Sequence, residues 1–314
     1  MRIIIFLLGL MLAGAVRAQP SDPACIVPSE PNGGFQITCE LALQALAEIG
    51  AAPDGMRIER MPGGVGAVAF NTFTGSRRAE GNTLVAFSEG SLHNLAIGKY
   101  GDHGWQDVRW VASLGQDHGA VVVRGDAPWQ DLGQLMAALR EAPRAIAFGG
   151  SGTIEGRDWV RARQTAEHAG VDVRLVRFVS FEGGGDCVAA LLGGHVQVCM
   201  SDVSQTQARM DAGADLRMLA VYAEDRLPGA LAQVPTAREQ GYDIVWPVMR
   251  GLYVGPDVSD ADYRWWVDTF DRALASPGYA AALRARHMIP LPLTGAALTD
   301  HVAARAETIR SRGF

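Results

Sequence analysis

CIVPSEPNGGFQITCELALQALAEIG, residues 25–50, contains the pattern that decides the fold. A short apolar run at 25–28 predicts a strand, and apolar residues recur with a helical period over 38–50. Pro-Asn-Gly-Gly stands between the two. The paired glycines either serve only a tight turn, or they expose the backbone N–H groups of a helix start to an anion. Both interpretations are open from this stretch alone.

The same strand-and-helix unit recurs along most of the chain. Apolar runs rich in Val, Ile and Phe predict further strands at 83–88, 119–125, 145–150, 174–181, 195–201, 216–224 and 250–256. Segments with a helical period lie between many of them, at 131–142, 156–170, 185–194 and 203–213. This alternation predicts an α/β protein made of βαβ units with largely parallel sheets.

Glycines and polar residues follow five of the predicted strands. The strands end in SEPNGG (29–34), EGSLHN (89–94), SGTIEG (151–156), EGGGD (182–186) and SDVSQ (201–205). In open α/β sheets, ligands bind beyond the carboxyl ends of the strands, where helix starts present free N–H groups and a positive dipole end. One such loop could be an ordinary turn. Five together predict a polar cleft that accepts an anion.

The N-terminus has the pattern of an export signal. Arg2 precedes the apolar segment 3–16, and Val16 and Ala18 suit cleavage after residue 18. We therefore predict a signal peptide at 1–18 and a periplasmic mature protein. An uncleaved membrane anchor is the alternative, but the segment is short for a span of about 20 residues.

The four cysteines form two close pairs, Cys25 with Cys39 and Cys187 with Cys199. In an oxidising compartment this spacing suggests two disulfides, and four buried free thiols are the alternative. Neither pair has the C-x-x-C spacing of a redox or zinc site, and the seven histidines show no ligand spacing. We expect neither a metal nor a cofactor.

Charge and motifs argue against two other classes of function. A net charge of −6 without a basic stripe argues against binding to nucleic acid. Gly149, Ser151 and Thr153 form G-x-S-x-T instead of the nucleophile motif G-x-S-x-G. GGVGAV at 63–68 lacks the strand and acidic residue of a dinucleotide site. We predict that the protein is not an enzyme.

Several long segments resemble one receptor family, in the expected order. They are CIVPSEPNGGFQITCELA (25–42), MPGGVGAVAFN (61–71), TLVAFSEGSLHNLAIGKYG (83–101), FVSFEGGGDCVAALLGGHVQV (178–198), LAVYAEDRLPG (219–229), VPTAREQGYDIVWPVMRGLYVGPDVSD (234–260) and WWVDTFDRALASP (265–277). They resemble the TctC or Bug-type extracytoplasmic solute receptors of tripartite tricarboxylate transporters, and the tricarboxylate branch most. The resemblance implies a two-lobed clamshell of the periplasmic-binding-protein type II kind, with crossing hinge strands.

On this plan, the first lobe takes residues 19–122 and 223–314, and the second takes 123–222. The strands at 119–125 and 218–224 would be the hinges. The implied function is to bind a tricarboxylate, citrate first, between the lobes and to deliver it, as a monomer, to membrane permease subunits. The alternative is a receptor of the same fold for another organic acid, acting as a sensory adaptor to a membrane signalling protein.

The resemblance also implies a set of ligand-binding residues. The first lobe would contribute Asn32, Gly33, Gly34, Phe35, Ser88, Gly90 and Ser91. The second lobe would contribute Gly150, Ser151, Gly152, Thr153, Gly183, Gly184, Gly185, Ser201 and Asp202. Their chemistry suits a carboxylate, because amide and hydroxyl donors at helix starts hold it without burying a full counter-charge.

The roles of five side chains stay open on the sequence. Phe35 can cover the carbon skeleton of the ligand or pack in the core. Asp202 can fix a loop or accept a hydrogen bond from a ligand hydroxyl or a water. His93 and Asn94 can reach the pocket or pack elsewhere. Arg250 can bind a carboxylate or form a structural ion pair beneath the cleft.

Overall fold

The computed structural model describes residues 20–31, 33–52 and 54–311. The predicted signal peptide at 1–18 and the predicted site residue Asn32 lie outside these ranges. The strands are β1 (Ala24–Val27), β2 (Arg57–Arg60), β3 (Thr83–Ser88), β4 (Arg109–Arg124), β5 (Ala147–Ser151), β6 (Arg177–Phe181), β7 (Val198–Asp202), β8 (Leu216–Val221) and β9 (Pro247–Val254). The helices are α1 (Gly34–Glu48), α2 (Ala67–Thr74), α3 (Glu89–Ala96), α4 (Leu132–Glu141), α5 (Arg157–His168), α6 (Gly184–Leu192), α7 (Val203–Asp211), α8 (Asp260–Leu274), α9 (Pro277–Ala285) and α10 (Gly295–Ser311).

Each apolar run predicted as a strand overlaps a strand of the structure. The prediction missed β2, whose sequence RIER is mostly exposed and therefore has no apolar run. The strand predicted at 119–125 covers only the end of β4, because polar residues such as Gln116 and Asp117 interrupt the apolar pattern before it. Pairing with β9 keeps this part of β4 extended.

The strands form one curled sheet with two parallel outer parts. In the first part, β1 lies between β2 and β3, and in the second part β5 lies between β6 and β7. β9 and β4 lie between these parts and pair antiparallel with β3, with each other and with β7. The prediction of largely parallel sheets is therefore correct only for the outer parts, since the strands that join them run in opposite directions.

β4 runs through both parts of the sheet. It pairs with β9 from Arg109 to His118 and with β7 and β8 from Gly119 to Arg124. One set of buried side chains packs on the β1–β3 side and another on the β5–β8 side. The division into lobes stays a prediction. Ala237, Ile244 and Trp246 pack with the second set, which favours a return to the first lobe at β9 instead of residue 223.

Two disulfides connect strands to helices. Cys25–Cys39 joins β1 to α1, and Cys187–Cys199 joins α6 to β7. The suggested pairing is confirmed, and the alternative of four free thiols is wrong. In the part of the chain that the structure describes, none of the helices has both the length and the apolar composition to cross a membrane.

We expect the double variant Cys25→Ala and Cys39→Ala to unfold more easily than the wild type. The bridge closes a loop with a sequence separation of 14 residues, and closing a loop of about 15 residues stabilises a protein by about 3 kcal/mol. Urea unfolding of both proteins without reductant measures the difference. A loss below about 0.5 kcal/mol would contradict this prediction.

Candidate functional site

A cavity lies where the carboxyl ends of five strands meet. Ser29, Ser88, Ser151, Glu182 and Asp202, at or just beyond the ends of β1, β3, β5, β6 and β7, all line it. Its volume, including the open mouth, is about 540 Å³. Pockets of about 300–1,000 Å³ are typical of small-molecule sites, so this cavity suits one small molecule.

The N-termini of five helices surround this cavity. Their N-cap residues, all of which line it, are Gly33 of α1, Ser88 of α3, Gly156 of α5, Gly183 of α6 and Asp202 of α7. Three of these caps are glycines, which have no side chain to occupy the N–H groups of the first turn. Those donors and the positive dipole ends therefore favour an anion in the cavity.

Most of the predicted site residues line this one cavity. They come from both parts of the sheet and are Gly33, Gly34, Phe35, Ser88, Gly90, Ser151, Gly152, Gly183, Gly184 and Asp202. The turn at 33–34 thus borders a pocket and is not an isolated tight turn. The assignment of these residues to a ligand stays a prediction.

Two predicted hydroxyl residues do not line the cavity, and both hydroxyl groups bind to other parts of the protein. The Ser91 hydroxyl donates to the Ser88 carbonyl at 2.8 Å and accepts from the Ser88 N–H at 2.9 Å. The Thr153 hydroxyl accepts from the Lys99 ammonium at 2.9 Å. The bond between Lys99 and Thr153 joins the residues that follow α3 to the loop that follows β5.

Three further predicted residues also lie away from the cavity lining. Gly150 is packed within β5, where a Cβ would lie 2.5 Å from the Cβ of Asp158. Gly185 is one residue further into α6 than the lining glycines. Ser201 is buried in β7, and its carbonyl accepts from Arg161 at 3.0 Å. The cavity adds no support to a ligand contact for these three residues.

A buried ion-pair cluster lies beside the cavity. Arg250 Nη2 contacts Asp117 Oδ2 at 2.7 Å and Asp202 Oδ2 at 2.9 Å. Asp202 also contacts Arg157 and Arg161, each at 3.2 Å. The members are three arginines and three aspartates, so their formal charges cancel: Arg157, Arg161, Arg250, Asp117, Asp158 and Asp202.

The arginines keep Asp202 ionised. Burial alone would raise the pKa of its carboxyl, but attraction to Arg157, Arg161 and Arg250 lowers the pKa below its ordinary value. Both carboxylate oxygens already accept hydrogen bonds from these guanidinium groups. Of the two roles left open by the sequence, these contacts favour the one in which Asp202 fixes the loop.

Arg250 combines both roles that the sequence left open. Its side chain, 1% exposed, forms the ion pairs described above and also lines the cavity. A Cβ at Gly34 would lie 3.0 Å from Arg250 Cζ and closer still to Nη1. The glycine at the start of α1 therefore lets the guanidinium reach the cavity wall.

Three more side chains have roles that the sequence left open, and two of them line the cavity. Asn94 lines the cavity, whereas His93 does not. His93 Nε2 lies 2.8 Å from the Glu155 carbonyl, and burial lowers the pKa of His93, so a neutral ring donates to that oxygen. Phe35 lines the cavity and also belongs to a buried apolar cluster, so both of its roles are compatible with the structure. The described residues contain no cluster of three or more metal-binding side chains.

Comparison with known proteins identifies the family. The sequence model of the tripartite tricarboxylate transporter family receptor (TctC) matches residues 51–305. The chain belongs to this family. It is therefore a solute receptor of a membrane transport system, and it is not an enzyme. A protein of Pseudomonas sp. (strain P51), described as the UPF0065 protein in the tcbD-tcbE intergenic region, is 26% identical over 239 residues, 73% of this receptor and 68% of that protein.

Solved structures confirm the predicted clamshell-type α/β fold. A periplasmic transporter superposes with a TM-score of 0.83 at 21% identity, covering 94% of the receptor and 97% of that chain. MatC from Rhodopseudomonas palustris with bound malate gives 0.78 at 20% identity, with 92% and 97% covered. An R. palustris protein with adipate gives 0.81 at 18% identity, with 92% and 95% covered.

The sequence analysis missed several residues that line the receptor's cavity. Arg157 is the main one, and a basic residue directly after the SGTIEG loop was the signal available for it. Burial alone would lower the pKa of Arg157, but Asp202 and Asp158 raise it, so the side chain stays charged beside the cavity. The others are Ser29, Val65, Gly156, Glu182 and Gln205.

Proposed function

We propose that the receptor binds a small di- or tricarboxylate, with citrate as the first candidate, and delivers it to permease subunits of a tripartite tricarboxylate transporter. The observation that carries this proposal is the ring of five helix N-termini around one cavity. The bound malate of MatC and the adipate of the second R. palustris protein support the same class of ligand.

Local donors must capture such a ligand, because the whole chain has a net charge of −6 and repels anions at long range. The first turns of α1 and α6 supply backbone N–H groups from opposite parts of the sheet. Arg157 and Arg250 add guanidinium groups at the cavity wall. Hydrogen bonds from a charged donor to a carboxylate are about twice as strong as neutral ones.

A ligand in this cavity would contact both parts of the molecule at once. Gly90 of α3 and Arg157 of α5 already approach each other, since a Cβ at Gly90 would lie 3.4 Å from Arg157 Nε. A carboxylate bound between them would stabilise the closed arrangement over an open one. In this proposal the receptor is a monomer, is exported by the signal peptide at 1–18, and presents its closed form to the permease.

We expect citrate or malate at about 100 times its dissociation constant to raise the melting temperature by several degrees. Ligand binding at that concentration stabilises the folded state by about 2.7 kcal/mol. A thermal-shift assay with citrate, malate, adipate and an uncharged sugar tests this. A shift with the sugar and none with the three acids would contradict the proposal.

A further inference from the structure

Gln205 presents a hydrogen-bond acceptor at the cavity. The residue is 8% exposed and lines the cavity from the first turn of α7. Its Nε2 donates to Asp202 Oδ2 at 3.2 Å. The ionised carboxylate offers only acceptors, so it fixes which end of the amide faces it. The oxygen Oε1 therefore points away from the Asp202 carboxylate.

Gln205 Oε1 lies close to the first residue of α6 and yet accepts no hydrogen bond from the described residues. It is buried and has no hydrogen bond within the part of the chain that the structure describes. A Cβ at Gly184, the first residue of α6, would lie 2.5 Å from it. Because a buried acceptor without a donor is costly, an occupant of the cavity that donates to this atom would be favoured.

Asn94 provides a second acceptor from the opposite part of the sheet. It is 2% exposed, lines the same cavity, and its Oδ1 also has no hydrogen-bond partner among residues 20–31, 33–52 and 54–311. Two buried amides with unpaired oxygens thus line a cavity that five helix N-termini surround. A simple carboxylate has no hydrogen to give to either of them.

We propose that the receptor selects acids that carry a hydroxyl group close to a carboxylate, and that this hydroxyl donates to Gln205 Oε1. The inference rests on the proposed function and names a narrower class of ligand, hydroxy-di- and hydroxytricarboxylates. The carboxylate would take the helix N–H groups while the neighbouring hydroxyl reaches the amide oxygen. A site that is built to bond a hydroxyl discriminates strongly against the analogue without it.

A neutral hydroxyl fits this position better than an ammonium group. Arg157 and Arg250 line the same cavity and already pair with Asp117, Asp158 and Asp202, so no carboxylate of the ion-pair cluster is free for an ammonium group. Asp202 Oδ2, to which the Gln205 amide donates, also accepts from Arg157 and Arg250. The other lining carboxylate, Glu182, is exposed to solvent, so an amino acid ligand would lack a buried free counter-charge at the cavity.

Two matched pairs of acids test the inference by isothermal titration calorimetry. Malate and succinate differ only in one hydroxyl, and so do citrate and tricarballylate. We expect the hydroxy acid of at least one pair to bind the wild type at least 10-fold more tightly than its partner. Aspartate, which has an ammonium in place of the malate hydroxyl, should bind more weakly than malate.

Gln205→Met should remove this discrimination. Methionine has a similar length but no acceptor amide, so binding of the hydroxy acid should weaken about 10-fold while binding of the deoxy acid changes little. Gln207→Met is the matched control on the same helix, because Gln207 is half-buried, does not line the cavity and donates to Asp211 Oδ1 at 2.8 Å. It should leave both affinities unchanged.

Each contrary outcome has a distinct meaning. Equal binding of the two acids in both pairs, tighter binding of aspartate than malate, or a preference that survives Gln205→Met would overturn the hydroxyl inference and leave the proposed function standing. Binding of none of these acids would overturn the proposed function and the inference with it.

Discussion

Gly183→Asp should abolish binding of an organic acid, whereas Gly183→Asn should weaken it far less. Gly183 lines the cavity as the N-cap of α6, with φ of −144° and ψ of 162°, an extended conformation that any residue adopts. The nearest atom to an added Cβ would be Asp186 Oδ2 at 3.9 Å. Both side chains therefore fit, and as N-caps both occupy first-turn N–H groups of α6 to a similar extent, so this loss of donors is common to the two variants.

Only the aspartate brings a negative charge to the ligand. Two like charges about 4 Å apart repel by about 4 kcal/mol at the effective dielectric constant of a protein surface. We expect Gly183→Asp to bind citrate or malate at least about 50-fold more weakly than Gly183→Asn, a difference of about 2.3 kcal/mol after allowance for solvent. Calorimetric titration of both variants measures the ratio, and their melting temperatures should stay close to that of the wild type.

Equal affinities of the two Gly183 variants would show that the ligand does not place its charge at the start of α6. A loss of folding in both would instead show that the cap position tolerates no side chain. The asparagine variant separates the effect of the charge from the effect of the side chain's size, because asparagine has the shape of aspartate without the charge.

The cavity was predictable from sequence where local rules apply. A strand followed by glycines and a helix start marks the carboxyl edge of the sheet, and Gly33, Gly34, Gly183 and Gly184 all lie there. The family resemblance also implied Gly150 and Gly185, but Gly150 lies within β5, Gly185 lies within α6, and neither lines the cavity. Neighbouring residues of a strand or helix point in different directions, and the sequence pattern does not locate a site to within one residue.

The ion-pair cluster was not predictable from local pattern. Arg250 and Asp117 are 133 residues apart in the chain, and Arg250 and Asp202 are 48 apart. These partners meet only because β4, β7 and β9 lie together in the middle of the sheet. The acceptor role of Gln205 likewise depends on Asp202, whose own orientation depends on arginines from α5 and β9.

Arg250→Met should destabilise the receptor strongly at neutral pH and should also weaken ligand binding. The substitution leaves Asp117 without the Arg250 contact at 2.7 Å and removes one of the guanidinium partners of Asp202. Removing one partner from a buried ion pair costs about 3–5 kcal/mol, because the other charge stays buried. Arg264→Met is the control, since Arg264 is 58% exposed and lies 3.7 Å from Asp260. An exposed pair of this kind contributes at most about 1 kcal/mol.

The stability difference between Arg250→Met and the wild type should shrink in acid. The pKa of Asp202 in the folded wild type lies below its ordinary value. Its contribution to stability is therefore fully present above the ordinary pKa of about 4 and is lost as the pH falls through the lower, folded-state pKa. In the variant, Asp202 has lost one arginine partner, so its pKa in the folded state is lowered less. Asp202 is therefore protonated, and loses its uncompensated charge, at a higher pH than in the wild type. Urea unfolding at pH 7 and pH 4 should show the larger gap at pH 7. A gap below about 1 kcal/mol at pH 7, or one that widens at pH 4, would mean that the buried arginine does not compensate these carboxylates.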